Sequence, residues 1–449
     1  MKNFRCCSLL LLALLVYLPL RARILRFPGS EYASVAVEIR DIASGRKIVA
    51  VNAEKMMTPA STVKLVTSAA ALCRYGADYR YSTNAVFSGA VTGSDAVGNI
   101  VIKGAGDPTL YSSHFPENQH FIHDIVQSLQ QLGVREIWGD IVLDDRSMPD
   151  SGPYTTWLIE DAFYGYGTGV YSFNFRDNTF RLRLDDLSTD PKFSEAEIEY
   201  DYVAGEELKP FHGAFSDRYI LRGDSPMNAS VTFPHSNPFA SFAEELRYAL
   251  AMGGIRFTND YHELPAATEK FTLATYRSPE MVDILRSLMF RSDNMMAEAT
   301  LRNFAPGAPL QDAIDVEKEV LKEHLGVENR YVRIIDGSGL TRKNFVSCSY
   351  LGNILCAMAK SGMASDYLSV FPKAGEQGTV RRLMAKTPLK GRLALKSGSM
   401  GGVRCLAGYF LDTKGRPVKT VVVMVNDFVV SSAEVNKAIE KYLMTELLK

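Results

Sequence analysis

The first part of the chain combines two alternating runs with one apolar run of helical composition. Apolar and polar residues alternate over 34–40 and again over 47–52, which predicts two β-strands joined by a turn at 42–46. A run rich in Ala, Leu and Val follows Pro59 and extends to about residue 76. This composition favours an α-helix. The segment is therefore predicted to be a β-hairpin followed by a helix.

The middle of the chain has a different texture. From about residue 81 to residue 231, short apolar runs alternate with Gly and Asp turns, which predicts a series of short strands. Helical spacing interrupts the series at 120–132 and follows it at 239–252. We find no internal repeat and no low-complexity linker, so this stretch is predicted to be one β-rich region.

The last part of the chain returns to longer helices and strands. The pattern predicts helices over 278–290, 295–303, 310–324, 350–360 and 432–448, and strands over 392–396, 404–411 and 418–425. The predicted fold class is therefore α/β (α+β), with one domain split into 24–84 and 266–449. A β-rich insertion over 85–265 separates the two parts, and we expect it to contain two nested subdomains, about 85–160 and 161–265.

Composition narrows the functional classes. The chain has 449 residues, of which 46% are hydrophobic and 22% are charged, so it can bury a large core and is long enough for roughly two to four domains. The formal net charge of −1 offers no electrostatic attraction to nucleic acid. We therefore predict no nucleic-acid partner.

The N-terminus has the pattern of an export signal. Lys2 and Arg5 precede an apolar run over 6–20, which Arg21 and Arg23 end. A charged head followed by a short apolar stretch is typical of a secretory signal, and the run is shorter than a membrane span requires. Because the only small residue near its end lies between arginines, residues 1–23 are either a signal peptide or a retained N-terminal anchor. Both predict an exported protein of the periplasm or cell envelope, and the anchor would add membrane association.

Cysteine and histidine give no support for a metal site. Beyond the first residues, the cysteines form no Cys-x-x-Cys pair, and all stand among apolar residues, which favours core packing over zinc or redox chemistry; they are Cys73, Cys348, Cys356 and Cys405. His120 and His123 could share a helix face. No nearby Cys or acidic ligand pattern supports them, so a solvated face is favoured and no metal or cofactor is predicted.

Ser61 and Lys64 carry the first chemical signal. Residues three apart on a helix share a face, so the Lys64 amine can reach the Ser61 hydroxyl. A hydroxyl becomes a good nucleophile when a base takes its proton, and a lysine can be that base if burial keeps it neutral. The same Ser-x-x-Lys spacing occurs at Ser44 and Lys47, but that copy falls in the predicted hairpin turn, where both side chains would be solvated.

Two further motifs would complete such a site. Ser292-Asp293-Asn294 falls between two predicted helices, and Lys396-Ser397-Gly398 falls at the end of a predicted strand. Similar patterns at 172–174 and 360–362 have the right order, but the second has the form of a helix end stopped by Gly. The preferred copies occupy the inter-helix turn and the strand end that the chemistry needs.

With these motifs the chain resembles the penicillin-binding D-alanyl-D-alanine carboxypeptidases/endopeptidases of low molecular mass, the S13 peptidase group of the DacB/PBP4 type. The resemblance covers nearly the whole exported chain and includes further runs at 104–110, 336–340, 374–379 and 406–409. It implies a split transpeptidase domain of the penicillin-binding-protein/β-lactamase type with a large β-rich insertion.

The resemblance also implies roles for individual residues. Ser61 would attack the carbonyl between two D-alanines, and Lys64 would accept its proton. Ser292 would relay the proton toward the leaving D-alanine, and Asn294 would bind the substrate amide. Lys396 would supply positive potential, and Ser397 a hydroxyl, for the terminal carboxylate. The backbone N–H groups of Ser61 and Ser399 would form the oxyanion hole, and Gly398 would leave room for the substrate backbone beside the strand.

Two positions depart from the family pattern. The family usually has Thr where Ser397 stands, so we expect altered affinity with the chemistry retained. In relatives an Asp of the insertion contacts the free amine of the peptidoglycan diamino acid, and Asp161 is the candidate here, with Glu160 next. Asp161 is equally consistent with a solvated loop acid.

The sequence therefore predicts a serine-type D-alanyl-D-alanine carboxypeptidase, possibly also an endopeptidase, that acts on peptidoglycan stem peptides through an acyl-enzyme on Ser61 and is inhibited by β-lactams. A serine β-lactamase is the enzymatic alternative. It is disfavoured because its compact chain would place the Ser-x-Asn motif much closer to Ser61 than residue 292. A non-catalytic cell-wall binding protein is the other alternative. The oligomeric state is left open.

Overall fold

A computed structural model describes residues 25–213, 216–224, 229–258, 269–328 and 330–449. The predicted signal or anchor over 1–23 lies outside the described residues. Within them, no helix is both long enough and apolar enough to cross a membrane.

The strands in chain order are β1 Ser34–Asp41, β2 Lys47–Val51, β3 Ser82–Thr92, β4 Asp95–Lys103, β5 Glu136–Trp138, β6 Ile141–Asp144, β7 Thr179–Arg183, β8 Thr189–Asp190, β9 Glu197–Glu207, β10 Lys209–His212, β11 Arg218–Asp224, β12 Ser230–Pro234, β13 Arg256–Thr258, β14 Glu269–Arg277, β15 Leu393–Met400, β16 Val403–Leu411 and β17 Pro417–Asn426. The α-helices are α1 Lys64–Tyr75, α2 Phe121–Gln131, α3 Pro238–Met252, α4 Met281–Arg291, α5 Asn294–Arg302, α6 Leu310–Leu325, α7 Cys348–Met358, α8 Ala364–Ser369 and α9 Ser432–Leu447. This mixture of helices and sheets confirms the predicted α+β class.

A five-stranded sheet joins the two ends of the chain. Its strand order is β15-β16-β17-β1-β2, and β1 lies antiparallel to β17, with Val37 opposite Val423. Both faces of the sheet are covered, so β17 has a nearly continuous apolar run in place of strict alternation. Helix α9 covers one face through Ile439 and Leu443.

Helix α1 is the centre of the helical layer on the other face. Residues 64–72 are all buried, because α4, α5, α6 and α7 surround the helix. The small side chains Ala69, Ala70 and Ala71 let these helices approach closely. One consequence is that Lys64, at the first turn of α1, is held away from water.

The middle of the chain forms three further sheets. A six-stranded sheet has the order β13-β5-β4-β3-β14, with β6 also paired to β4, and two three-stranded sheets have the orders β10-β11-β9 and β12-β7-β8. Strands β3 and β14 pair with each other, so the six-stranded sheet begins at Ser82 and ends at Arg277, slightly outside the predicted limits of 85 and 265. The predicted division into domains and nested subdomains stays a prediction.

Candidate active site

The segment before α1 presents Ser61. Residues Ala60–Val63 form a single 3₁₀ turn that leads directly into the helix at Lys64, so Ser61 lies one turn before the α-helix proper. Ala60 has a positive φ of 46°, a conformation that a residue with a Cβ adopts at a cost. The chain is thus bent sharply where it presents the Ser61 hydroxyl.

Lys64 reaches that hydroxyl. Its Nζ lies 3.0 Å from Ser61 Oγ, 2.6 Å from Asn294 Oδ1 and 2.5 Å from the Ser338 carbonyl oxygen. Burial lowers the pKa of Lys64 to about 8, although the negative charges of Glu298, Asp336 and Asp293 act in the opposite direction. A substantial fraction of the amine is therefore neutral near pH 8 and can accept a proton from Ser61.

The turn between α4 and α5 supplies the second motif. Ser292 ends α4 with left-handed backbone angles of φ 63° and ψ 38°, and Asp293 caps α5 by accepting a hydrogen bond from the Met296 N–H. Asn294 is the first residue of α5. Its amide Nδ2 donates to the Tyr166 carbonyl at 2.7 Å, which orients Oδ1 toward Lys64.

Strand β15 supplies the third motif. The Lys396 ammonium is fully buried and donates to Ser292 Oγ at 2.8 Å and to the Ser397 carbonyl at 2.6 Å. Burial lowers the pKa of Lys396 well below its usual value, and the nearby positive charges of Lys64 and Arg404 act in the same direction. The Ser397 hydroxyl lies 2.7 Å from Thr379 Oγ1, so two hydroxyls lie next to each other beside this strand.

Gly398 allows β15 to lie directly against the 3₁₀ turn. A Cβ at this position would lie 2.6 Å from the Pro59 carbonyl oxygen and 3.0 Å from the amide nitrogens of Ser61 and Thr62. No side chain fits in this space. The strand end and the backbone of Ser61 are therefore in contact, and Ser399 follows at the edge of the same cleft.

The cleft over Ser61 has a volume of about 590 Å³. Its walls come from the first two motifs, from the end of β15 just after the third motif, from the 336–340 turn and from the insertion. They include Ser61, Ser292, Asn294, Ser399, Leu340, Arg342, Met400, Glu160, Asp161, Tyr164 and Tyr166. Asp161 is largely buried and accepts a hydrogen bond from Tyr166 OH at 3.2 Å, and burial raises the pKa of its carboxyl. Glu160 is exposed beside it.

The other copies of the motifs lie elsewhere. Ser44 is exposed and donates to Asp41, while Asn174 is buried inside the insertion and accepts a hydrogen bond from the Tyr171 N–H. Ser361 donates to the Met358 carbonyl at the end of α7. The preferred copies are therefore the ones that meet at the cleft. Ser61, Ser292 and Asn294 line it, and the buried Lys64 and Lys396 contact Ser61 and Ser292 from behind the lining.

The remaining cysteine and histidine candidates also have local contacts. The four described cysteines are free thiols, three of them buried and Cys73 partly exposed. His120, the residue before α2, hydrogen-bonds Asp124 in the first turn of that helix. Within the described ranges, no group of three or more His, Cys, Asp or Glu side chains could hold a metal ion.

Sequence reasoning missed one buried acid of the site. Glu298 is fully buried on α5 and accepts hydrogen bonds from the Gly337 and Ser338 N–H groups. The sequence contained one clue to the role of Glu298. The residue stands four positions after Asn294, which places both side chains on one face of the helix. A charged residue in the otherwise apolar run over 295–299 would have strengthened it.

The fold and the Ser61–Lys64 centre together define a serine peptidase of the penicillin-binding class. The chain belongs to the D-Ala-D-Ala carboxypeptidase 3 (S13) family, which matches residues 20–447. This membership confirms the predicted resemblance and the predicted enzyme class, a serine-type D-Ala-D-Ala carboxypeptidase.

Individual relatives are distant but match along most of their length. The chain is 24% identical over 420 residues to the D-alanyl-D-alanine carboxypeptidase DacB of Haemophilus influenzae, with 87% of this chain and 85% of that protein covered. It is 26% identical over 432 residues to the D-alanyl-D-alanine carboxypeptidase of an Actinomadura species, with coverages of 89% and 79%.

The fold matches a solved relative as well. Penicillin-binding protein 4 from Haemophilus influenzae superimposes with a TM-score of 0.78 at 22% identity, covering 93% of this chain and 97% of that one. A structure of the same protein complexed with a β-lactam gives a TM-score of 0.74 at 23% identity with the same coverages. These matches confirm the predicted fold.

Proposed function

We propose that Ser61 is the nucleophile of a D-alanyl-D-alanine carboxypeptidase and that Lys64 is its general base. The observation that carries this proposal is the 3.0 Å separation of Lys64 Nζ and Ser61 Oγ, together with the burial that lowers the pKa of Lys64 to about 8. Ser61 Oγ attacks the carbonyl carbon of the bond between two D-alanines, and Lys64 accepts the hydroxyl proton. The peptide C–N bond then breaks to leave an ester on Ser61.

The leaving D-alanine needs a proton on its nitrogen. Ser292 Oγ lies 2.8 Å from Lys396 Nζ, and both Ser292 and Ser61 line the cleft. Lys64 holds the proton that it accepted from Ser61. We assign to Ser292 the role of relaying this proton to the amine of the departing D-alanine. Water then hydrolyses the ester and regenerates the Ser61 hydroxyl.

The substrate's terminal carboxylate is assigned to the wall formed by β15. Lys396 is buried and supplies a positive charge when it is protonated, and the Ser397 hydroxyl, next to Thr379, supplies a donor. An arriving carboxylate would favour the protonated form of Lys396, whose pKa burial otherwise lowers. Since Ser397 keeps the hydroxyl of the usual Thr, we expect altered affinity and unaltered chemistry.

The oxyanion hole is assigned to the backbone N–H groups of Ser61 and Ser399. The close contact between Gly398 and the Ser61 amide supports this assignment, because it brings the two backbones to the same end of the cleft. A donor of this kind typically contributes about 10²–10³ in rate. Asn294 is assigned to bind the substrate amide. Its Nδ2 would then donate to the substrate in place of the Tyr166 carbonyl oxygen.

The substrate class is the stem peptide of peptidoglycan, with endopeptidase cleavage of crosslinks as a second activity. Asp161 supports a contact with the free amine of a diamino acid, since its carboxyl lies on the cleft wall. The sequence at 1–23 supports export to the periplasm or cell envelope. The β-lactam complex of the Haemophilus relative supports inhibition by β-lactams.

A fluorescent penicillin tests the nucleophile. We expect the label on Ser61 in the wild-type protein, no label on Ser61→Ala, and normal label on Ser44→Ala, the matched change in the other Ser-x-x-Lys copy. Mass spectrometry of the labelled peptide identifies the residue. A folded wild-type protein that takes no label would refute the proposal, and rapid turnover of a chromogenic cephalosporin would favour a β-lactamase.

A further inference from the structure

Glu298 is a buried acid that the reaction scheme leaves without a role. It lies four residues after Asn294 on α5, and its side chain is fully buried. A carboxylate removed from water is costly unless its oxygens are hydrogen-bonded. Oε2 accepts from the Gly337 N–H at 3.0 Å and Oε1 accepts from the Ser338 N–H at 2.7 Å. Each oxygen thus binds one of two successive backbone donors.

We infer that Glu298 is a positioning residue for this reaction: its carboxylate holds the backbone turn over 336–340, whose Ser338 carbonyl orients the Lys64 amine toward Ser61. The inference rests on the proposed roles of Ser61 and Lys64. Glu298 itself touches neither the nucleophile nor the substrate cleft.

The hydrogen-bond capacity of lysine explains why the Ser338 carbonyl matters. A neutral amine has two N–H donors and one lone pair. Asn294 Oδ1 and the Ser338 carbonyl oxygen can only accept, so they bind the two N–H groups. The lone pair is then left for the third neighbour, the Ser61 hydroxyl, which alone can donate. If the Ser338 carbonyl moved away, an N–H group could turn toward Ser61 and the base would face the wrong way.

The turn is packed tightly on both sides, so its position is transmitted to the nucleophile. A Cβ on Gly337 would lie 3.1 Å from the Ala297 carbonyl oxygen of α5, and a Cβ on Gly339 would lie 2.0 Å from the Ala60 carbonyl oxygen. The 336–340 turn therefore contacts helix α5 on one side and the 3₁₀ turn of Ser61 on the other. Loss of the Glu298 contacts would shift the Ser338 carbonyl and the Ser61 backbone together.

Asp336 anchors the other side of the turn and stays in place when Glu298 is changed. Its carboxylate accepts from the Gly339 and Thr341 N–H groups, from Asn344 Nδ2 and from Trp157 Nε1. These four contacts keep the turn folded. A Glu298 variant is thus expected to displace the Ser338 carbonyl without unfolding the segment.

The test is the rate at which a fluorescent penicillin acylates Ser61, measured from pH 6 to 9.5 in the full chain. In Glu298→Gln the amide oxygen accepts from one N–H, while the amide nitrogen faces the other. We expect acylation to slow by roughly 10–100-fold, the usual cost of a small misplacement. Burial, and then the charge of Asp336, raise the pKa of Glu298 itself to about 8, so its charge favours the Lys64 ammonium only in the upper part of this pH range. Glu298→Gln removes that charge while Asp336 and Asp293 remain, and we expect the midpoint of the rise with pH to move to lower pH.

Glu317→Gln is the matched control. Glu317 is a fully buried carboxyl on α6 and is not among the charges that act on Lys64, so this variant should acylate at the wild-type rate with the wild-type midpoint. Glu298→Asp keeps the charge but shortens the reach, and we expect slower acylation with little change in the midpoint. If Glu298→Gln does not fold, Glu298→Asp tests the positioning role in its place.

The outcomes separate the two claims. Wild-type protein that takes no label on Ser61 would contradict the proposed function. Labelled wild type together with Glu298→Gln at the wild-type rate would overturn the positioning role alone. Slowed acylation in Glu298→Gln supports that role, and the midpoint then reports whether the Glu298 charge also acts on the pKa of Lys64. Glu298→Asp at the wild-type rate would overturn the positioning role as well.

Discussion

At the scale of single residues, two buried lysines contact serines that line one cleft, and the two carry different assignments. Lys64 has three acidic neighbours that partly offset its burial, and its pKa falls to about 8. Burial lowers the pKa of Lys396 well below its usual value, and the positive charges of Lys64 and Arg404 act in the same direction. The first lysine is therefore suited to exchange a proton with Ser61. Lys396 is suited to bind an anionic ligand, because the negative charge of the ligand would favour the protonated form of the lysine.

The pKa of Lys64 predicts the pH dependence of acylation. The base must be neutral, so the rate constant for acylation by a penicillin should rise about tenfold from pH 6 to pH 7 and level off above about pH 8. Lys64→Arg should abolish labelling, because arginine stays protonated. Lys47→Arg, the same change in the exposed Ser-x-x-Lys copy, should acylate normally. A rate that does not change with pH would contradict Lys64 as the base.

At the scale of elements, close contacts between backbone segments build the site. The end of β15 and the 336–340 turn both contact the 3₁₀ turn of Ser61 where a glycine leaves room, at Gly398 and at Gly339. Such close approaches between segments far apart in sequence fix the cleft more tightly than side-chain contacts alone would. Glycine is needed here for space, and at Gly339 also for a φ of 77°.

Gly339→Ala tests this close approach. The added Cβ would lie 2.0 Å from the Ala60 carbonyl oxygen, so we expect the turn and Ser61 to separate and acylation to fall by at least about tenfold. Gly415→Ala is the control, because Gly415 has a φ of 79° but no atom within 4 Å of the added Cβ. Both variants should lose about 1–2 kcal/mol from the left-handed backbone, measured by urea unfolding. Equal acylation rates in the two variants would contradict the role of the contact.

At the scale of the whole molecule, the insertion takes part in the site. The Tyr166 carbonyl accepts from Asn294 Nδ2, and Trp157 Nε1 donates to the buried Asp336 at 2.9 Å. Asp161 of the insertion also lies on the cleft wall. The insertion thus both orients a residue of the second motif and closes one side of the cleft.

A buried acid in the helical layer predicts how global stability depends on pH. Burial of Glu317 raises its pKa from 4.5 to about 7, so the folded state holds this proton more tightly than the unfolded state does. The favourable contribution is complete below about pH 4.5 and is lost as the pH rises through about 7. Glu317→Gln should therefore gain stability relative to wild type between pH 5 and pH 8, by about 3 kcal/mol at most.

Urea unfolding at the two pH values measures this gain. Glu323→Gln is the control, since it removes an exposed carboxyl from the same helix with the same change in charge. A stability difference between Glu317→Gln and wild type that is equal at pH 5 and pH 8 would contradict the prediction.

The sequence by itself determined the elements and the identity of the chemistry. The Ala/Leu/Val composition of 60–76 predicted α1. Alternating or continuous apolar runs predicted the strands of the five-stranded sheet, because a strand that is covered on one face alternates and a strand that is covered on both faces is apolar throughout. The three motifs identified the family, because a nucleophile, a base and a carboxylate-binding wall require particular side chains at fixed local spacing.

Only the tertiary structure decided what surrounds those residues. The contact of Glu298 with the Ser338 turn, that of the Tyr166 carbonyl with Asn294 and the close approach at Gly339 all join segments distant in the chain. No local pattern encodes such contacts, since each depends on how independently predicted elements pack. The lowered pKa of Lys64 belongs to the same group, because burial from all sides is a property of the assembled fold.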